Sequence, residues 1–499
     1  MKKTLSLGVI FTIIGLILGT FIAPVFSKEK SINIAEQKAM KDEKNYELLL
    51  RFGSIFDIIQ DEYVDEPDME KIMEKATKAL LSALGPHSEY MNAKEYKELS
   101  ERTSGSFGGL GIRVQLEDGL VKAIKVLEDT PAMKAGIEDN DIITKIDDTE
   151  VMGLTLSEAV DLMRGDVGEP ISLLVIRDGE AEPLAFNFKR DIIKSNPVTF
   201  EAKGNIGYIT LSEFNGIADE KIKLAIDELT KDIGDKLSGF ILDLRGNGGG
   251  LLDQAVFVSD IFLEDGEIVS TRGRHKYQTD RKYSVTKDKI DGKKLVVLIN
   301  GSSASSSEIV AGALQDYKRA TIIGTRSFGK GSVQTIRDLP NEAGALRLTS
   351  ARYYTPSGRT IQAKGIAPDW VVEPIIPKEL EKRFTEQQSE ASLEGHLQNE
   401  DKKLEEEENE RAFSYVPRDE TLDLQLIYAL NFLNGEMEIG EKNIELEEEI
   451  AKKSEAEWLK AKEKAEAAKE NLEKNLKKMN DKAKTDKDGS EEKKAPTSK

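Results

Sequence analysis

The 499-residue chain contains no cysteine, which excludes a disulfide framework, a thiol nucleophile and a cysteine-built zinc site. Histidine is almost as scarce. His87, His275 and His396 lie far apart and none stands in a metal-ligand spacing, so no metal is expected and a histidine-dependent mechanism has few candidates. His87 follows a proline at a helix end and reads as a structural capping residue. Positive charge is in deficit: 71 Lys and Arg face 91 Asp and Glu, and the net charge of −20 argues against nucleic acid as a partner, since phosphate binding needs a basic face. What remains is a chain long enough for two or three domains with a sizeable core.

One long uncharged run is present, and it stands at the amino terminus. Lys2 and Lys3 precede an apolar stretch from Leu5 to Phe26, with a possible cleavage point at Val25-Phe26-Ser27. Residues 1–27 are therefore expected to be a signal peptide or a membrane anchor, because roughly 20 apolar residues span a bilayer. Positive-inside orientation would place the rest outside the cytoplasm, in a periplasmic or other extracytoplasmic space. A buried core helix is the alternative, disfavoured because no charge interrupts the run. Residues 28–102 read as helical. Leu48, Leu49, Phe52, Ile55, Phe56 and Ile59 recur at helical spacing, and Met69 to Leu84 carries Ile72, Ala76, Ala79, Leu80 and Leu84, which predicts packing surfaces.

Two blocks fit one piece of chemistry. Asn300-Gly301-Ser302-Ser303-Ala304-Ser305-Ser306-Ser307-Glu308 follows the apolar run Leu295 to Ile299 and opens a helical segment, placing a serine hydroxyl where free N–H groups can hold an oxyanion. Ser327-Phe328-Gly329-Lys330-Gly331-Ser332-Val333-Gln334 supplies a lysine that serves as base only if burial lowers its pKa; the alternative is an exposed hairpin lysine. Any of the serines 302, 303, 305, 306 and 307 could instead cap the helix. Asp243-Leu244-Arg245-Gly246-Asn247-Gly248-Gly249-Gly250 ends a buried strand, and its glycines suit one arm of an oxyanion hole, with Gly248 or Gly249 as donor and the Ser306 N–H as the other. A plain strand–helix turn is the alternative, and no Gly-Lys-Ser/Thr follows to make a phosphate loop. Ile206 to Leu211, Glu220 to Leu229 and Phe240 to Leu244 alternate strand, helix and strand, which gives an α/β fold.

These residues resemble the carboxyl-terminal processing, or tail-specific, serine peptidases from about Glu47 to Pro374. Gly85-Pro86-His87-Ser88-Glu89-Tyr90, Phe107-Gly108-Gly109-Leu110-Gly111-Ile112, the Asp243 to Gly250 run, the serine and lysine blocks and Tyr353-Tyr354-Thr355-Pro356-Ser357-Gly358 occur in the family's order. Gly85 departs from the pattern, which usually has aspartate there. The resemblance implies a crotonase-like (ClpP/crotonase type) core over residues 191–385 with an inserted PDZ domain at 103–190. Within that domain the Phe107 to Ile112 loop would hold a terminal carboxylate, a following strand would add a peptide by β-augmentation, and the helix Ser157 to Met163 would form the other wall; a small β-domain with glycine turns is the alternative.

The family's Ser-Ala-Ser aligns with Ser303-Ala304-Ser305 and implies Ser305 as nucleophile, with Ser303 its rival; it also aligns Gln334 as the residue orienting Lys330. Glu308 reads as a complement to the helix dipole. Arg164 reads either as a helix C-terminal charge or, by resemblance, as a regulatory link between the PDZ domain and the peptidase. The implied function is an exported endopeptidase acting on exposed carboxyl termini through an acyl-enzyme, without metal or cofactor, with an adaptor protein and a homo-oligomer as further partners. A PDZ scaffold with a degenerate peptidase core and a crotonase-like acyl-group enzyme are the competing readings. Beyond Pro374, the 386–499 region reads as an acidic tail: a charge run from Lys402 to Arg411, a short amphipathic helix from Leu422 to Leu433, an Ala/Glu/Lys stretch from Ile444 to Met479 and a disordered end from Asp481.

Overall fold

The computed structural model describes residues 43–117, 119–180, 182–385, 389–399, 412–464 and 466. The apolar run Leu5 to Phe26, the charge run Lys402 to Arg411 and the end from Asp481 lie outside them. The chain divides into a unit through Ala79 and a unit from Leu80. In the first, α1 (residues 43–62) carries the expected apolar stripe, but Leu48, Leu49, Phe52 and Ile55 are exposed rather than packed. α2 (Met69–Ser82) follows. No helix among the described residues is long and apolar enough to cross a membrane.

The second unit opens with β1 (Glu89–Met91) and α3 (Ala93–Ser104). Asn92 and Glu95 cap α3 reciprocally, each side chain accepting the other's backbone N–H, and Gly105 ends it in the left-handed region. There follow β2 (Ser106–Gly109), β3 (Ile112–Glu117), β4 (Leu120–Val126), α4 (Pro131–Ala135), β5 (Ile142–Ile146), β6 (Thr149–Glu150), α5 (Leu156–Met163), β7 (Pro170–Ile176), β8 (Leu184–Lys189) and β9 (Asp191–Lys194). Period-two alternation drives Ile171, Leu173 and Val175 of β7 inward. The sheet order is β3-β4-β5-β7-β8 with β6 on β5, so β3 is an edge, and β2 pairs with β9 as a clasp at the base of this domain.

The remaining elements are β10 (Val198–Lys203), β11 (Ile206–Leu211), α6 (Ala218–Ile233), β12 (Gly239–Asp243), α7 (Leu252–Asp260), β13 (Glu267–Gly273), β14 (Thr279–Tyr283), β15 (Lys294–Ile299), α8 (Ser306–Asp316), β16 (Thr321–Gly324), β17 (Ser332–Asp338), β18 (Ala345–Tyr354), β19 (Trp370–Val371), α9 (Lys378–Thr385), α10 (Leu424–Asn434) and α11 (residues 444–464). A six-stranded sheet runs β10-β11-β12-β15-β16-β19, parallel from β11 onward. Such strands are covered on both faces, which is why β15 reads as an unbroken apolar run. Val297 and Ile299 face the cluster packed with α6, α7 and α8, while Val296 and Leu298 face a second cluster with α10. An antiparallel sheet, β1-β18-β13-β14 with β17 on β18, carries the lysine block alongside.

The solvated tail expected beyond residue 386 does not describe residues 412–464. Leu422, Leu424, Leu426, Tyr428, Leu433 and Ile450 are buried against the sheet. α10 has no charged residue at all, and a mostly apolar helix without a charged face is a core helix rather than an amphipathic one. A buried ion pair locks it down: the Arg245 guanidinium grips Asp243 and Asp423, each at 2.7 Å, and donates to Gln425 Oε1 at 2.9 Å.

Candidate active site

Ser305 stands between β15 and α8 with φ 56° and ψ −110°, a conformation that side-chain-bearing residues rarely adopt and that marks stored backbone strain. The chain can reach it because Gly249 lies beneath. A Cβ on Gly249 would sit 2.9 Å from both Ala304 O and Ser305 Cβ. The neighbouring serines are otherwise engaged. Ser303 Oγ donates to Leu244 O at 2.8 Å, Ser306 Oγ to Gly250 O at 3.1 Å and Ser307 Oγ to Asn247 O at 2.8 Å. Ser303 is thus a brace between two loops, whereas the Ser305 side chain meets the hydroxyl of Tyr353, which burial pushes up to about 12 and so keeps protonated.

The glycine run meets this loop through Asn247, a fully buried residue. Its carbonyl accepts Ala304 N at 3.0 Å, and its side-chain oxygen accepts Gly249 N at 2.8 Å. That second bond withdraws Gly249 as an oxyanion donor. A Cβ on Gly248 next to it would meet nothing within 4 Å, and Ser306 is the first residue of α8, where an N–H has no intrahelical acceptor.

Lys330 precedes β17. Its Nζ donates to Gln334 Oε1, and the Gln334 amide is turned by Ser332 Oγ at 3.0 Å and Thr349 Oγ1 at 3.4 Å. Loss of water around the amine draws Lys330 down to about 8, partly offset by the charge of Glu390, aided by that of Arg347 and opposed by that of Glu308. The exposed-hairpin alternative therefore fails. Lys330 Nζ makes no hydrogen bond to Ser305 Oγ.

The two blocks meet instead at Glu308, buried completely at the third position of α8. Its Oε2 accepts Ser305 N at 2.7 Å and Lys330 N at 2.9 Å; its Oε1 accepts Gly329 N at 2.7 Å and Ser327 Oγ at 2.6 Å. Burial pushes the carboxyl up to about 7 against these four donors. Three of them are backbone N–H groups, which only donate, so the arrangement suits the carboxylate. This is more than the dipole complement expected from sequence. The signal was the spacing, since a glutamate three residues past a helix-capping serine is the capping-box pattern.

His87 is not a cap. Its Nε2 lies 2.7 Å from Glu390 Oε2, a buried carboxylate brought in by residues 389–399. Gly85 explains itself in the same place: its φ is 128°, and a Cβ there would approach Gly395 O to 2.8 Å, so the usual aspartate has no room. Among the described residues no group of three or more His, Cys, Asp or Glu is placed to hold a metal ion.

The second candidate site lies in the small β-domain, a pocket of 140 Å³ lined by Leu110, Gly111, Ile112, Val114, Val160 and Met163. Of the expected loop, Phe107, Gly108 and Gly109 belong to β2 and pair with β9, leaving Leu110 to Ile112 at the turn into the edge strand β3. Arg164 ends α5 with its guanidinium 5.1 Å over the Phe107 ring and 3.9 Å from Glu101, at the groove's mouth and toward α3.

The sequence profile described as Peptidase family S41 matches residues 205–372, a PDZ domain profile matches 124–177, and one described as the activating protease CtpB N-terminal domain matches 13–95. A carboxy-terminal-processing protease of Bartonella bacilliformis is 48% identical over 84% of this chain and 95% of its own. A probable CtpA-like serine protease of Staphylococcus epidermidis is 34% identical over 72% of each. The solved photosystem II D1 C-terminal processing protease shares 28% identity over 66% of this chain and 95% of its own, at a TM-score of 0.38.

Proposed function

Because the chain belongs to peptidase family S41 and is a C-terminal processing serine peptidase with a PDZ domain, we propose that it is an exported endopeptidase working by a serine–lysine mechanism. In this reading Ser305 Oγ attacks the scissile carbonyl and Lys330, as a neutral amine, takes its proton and returns it to the leaving nitrogen. The Gly248 and Ser306 N–H groups stabilise the oxyanion. Gln334 orients the amine without adding charge, and water then hydrolyses the acyl-enzyme. No cofactor enters.

The observation that carries this reading is the shared Glu308 oxygen, which binds the backbone N–H of both Ser305 and Lys330. It ties the nucleophile's loop to the base's loop, and in this reading the amine comes to the hydroxyl once a substrate excludes water. The decisive experiment is turnover of an unstructured protein by Ser305→Ala, Ser303→Ala and Lys330→Arg. Ser305→Ala and Lys330→Arg should be inactive, since guanidinium stays protonated. Substantial activity in Ser305→Ala would overturn the assignment.

The groove at Leu110 to Ile112, the edge strand β3 and helix α5 support recognition of a substrate's terminal carboxylate by β-augmentation. Arg164 beside Phe107 is the proposed regulatory contact. We assign residues 1–27 to a signal or anchor, 28–102 to the helical region, 103–190 to the PDZ domain and 191–385 together with 412–464 to a crotonase-like core, with extracytoplasmic location and any adaptor or oligomer as further parts of the reading. A degenerate scaffold has nothing in its favour at a site with serine, lysine and glutamine all present.

A further inference from the structure

The mechanism above leaves unused a buried acid and a histidine that stand beside its base. Glu390 is wholly buried; its Oε2 faces His87 Nε2 at 2.7 Å and its Oε1 accepts Gln362 Nε2 at 2.8 Å. Its own N–H donates to Phe328 O at 3.0 Å, and Gln362 Oε1 accepts Gly331 N at 3.1 Å, so this cluster grips the loop on both sides of Lys330. Gln362 in turn holds residues 389–399, through its Nε2 on Leu397 O at 2.7 Å and its carbonyl under Asn399 Nδ2 at 2.8 Å. None of this is needed merely to fill space. A buried carboxylate costs several kcal/mol unless its charge is used or compensated.

We propose that the pair His87 and Glu390 is a positioning device that sets the basicity of Lys330: the carboxylate, fixed by the histidine and Gln362, stabilises the ammonium form and so decides the pH at which the base becomes available. The proposal rests on the assignment of Lys330 as base. The charged groups around the amine are Glu390, Arg347 and Glu308. Arg347 is already turned to Glu89 Oε1 at 2.9 Å, and Glu308 spends its oxygens on four donors. Among the described residues the Glu390 oxygens bond only the imidazole of His87 and the amide of Gln362, so it is the charge whose removal Lys330 should feel.

The sign follows. Without the negative charge, burial and Arg347 act unopposed by it, and the amine sheds its proton at lower pH. The test measures, on the full chain, the pH dependence of kcat for an unstructured protein and of Ser305 labelling by a fluorophosphonate. Glu390→Gln should move the alkaline-rising limb of both profiles down by about one unit, raising activity on the acid side of the limb up to about tenfold. His87→Phe, at a partly exposed position, removes a donor that partly compensates the Glu390 charge, so the amine feels more of that charge and the limb should move up, by less. A purely structural role would lower activity at every pH and leave the limb in place. An unmoved limb in Glu390→Gln, or in His87→Phe should the first variant not fold, overturns the proposal. Lys330→Ala keeps the two readings apart: if a wild-type limb survives in it, the base assignment fails, whereas a limb lost there but unmoved in Glu390→Gln sinks only the present inference.

Discussion

The two halves of the candidate site are built in opposite ways. The serine half is local: a strained residue at the start of α8, a glutamate three positions on, and one glycine loop beneath. The lysine half is assembled from a distance. Its surroundings include His87 and Glu390, separated by 303 residues, together with Gln362 and Thr349 from strands and loops between. Geometry can be written in a short motif because backbone conformation is decided by neighbours. An amine's readiness to accept a proton depends on every charge and every excluded water around it, and those come from wherever the fold brings them.

The largest effect expected from breaking this comparison is on the serine side. Ser305→Ala should cost several orders of magnitude in kcat, as removal of a covalent nucleophile does, with the fold intact by circular dichroism. Ser303→Ala should instead leave the chemistry and reduce thermal stability, since it deletes a buried bond to Leu244 O. Next comes Glu308→Ala, which cuts the link between the halves. It strands three buried N–H groups at about 1–3 kcal/mol each, so both melting temperature and turnover should fall sharply.

Gly85→Asp strikes the lysine half alone. The new side chain must displace Gly395 at a positive φ, costing roughly 1–3 kcal/mol, and by loosening residues 389–399 it should shift the pH limb in the direction of Glu390→Gln; an unshifted limb with wild-type stability would show the segment to be dispensable. Amidating a substrate's carboxyl terminus should weaken binding to the PDZ groove by about tenfold or more without touching either half. The smallest effect is on stability. Lys330 titrates near 8 when folded against 10.5 for the ordinary side chain, so between those values the unfolded chain holds the extra proton and stability should rise with pH. Chemical denaturation of wild type and Lys330→Met across that window should show the gap between them closing.

Much of this was legible in the sequence where interactions are short-ranged. The run Ile206 to Leu211 is β11 without adjustment, and the glycine and serine blocks mark the turns that bring Asn247 to Ala304. The oxyanion donors were only half legible, because nothing in a run of three glycines says which N–H an asparagine side chain will claim. The carboxyl-terminal region misled for a different reason: its charge-rich flanks set the average, while α10 within it is uncharged, mostly apolar and completes the sheet's second face. His87 looked like a cap because its partner lies too far along the chain for any spacing rule to reach.

That separation also gives the enzyme a clock. Synthesis runs from the amino terminus, and Glu390 is made 303 residues after His87. A nascent or prematurely ended chain can therefore carry the PDZ groove, the serine and the lysine while the carboxylate that sets the lysine's proton is still missing. If that carboxylate tunes the base, catalytic character matures only after Glu390 has been made and its segment has folded back to His87.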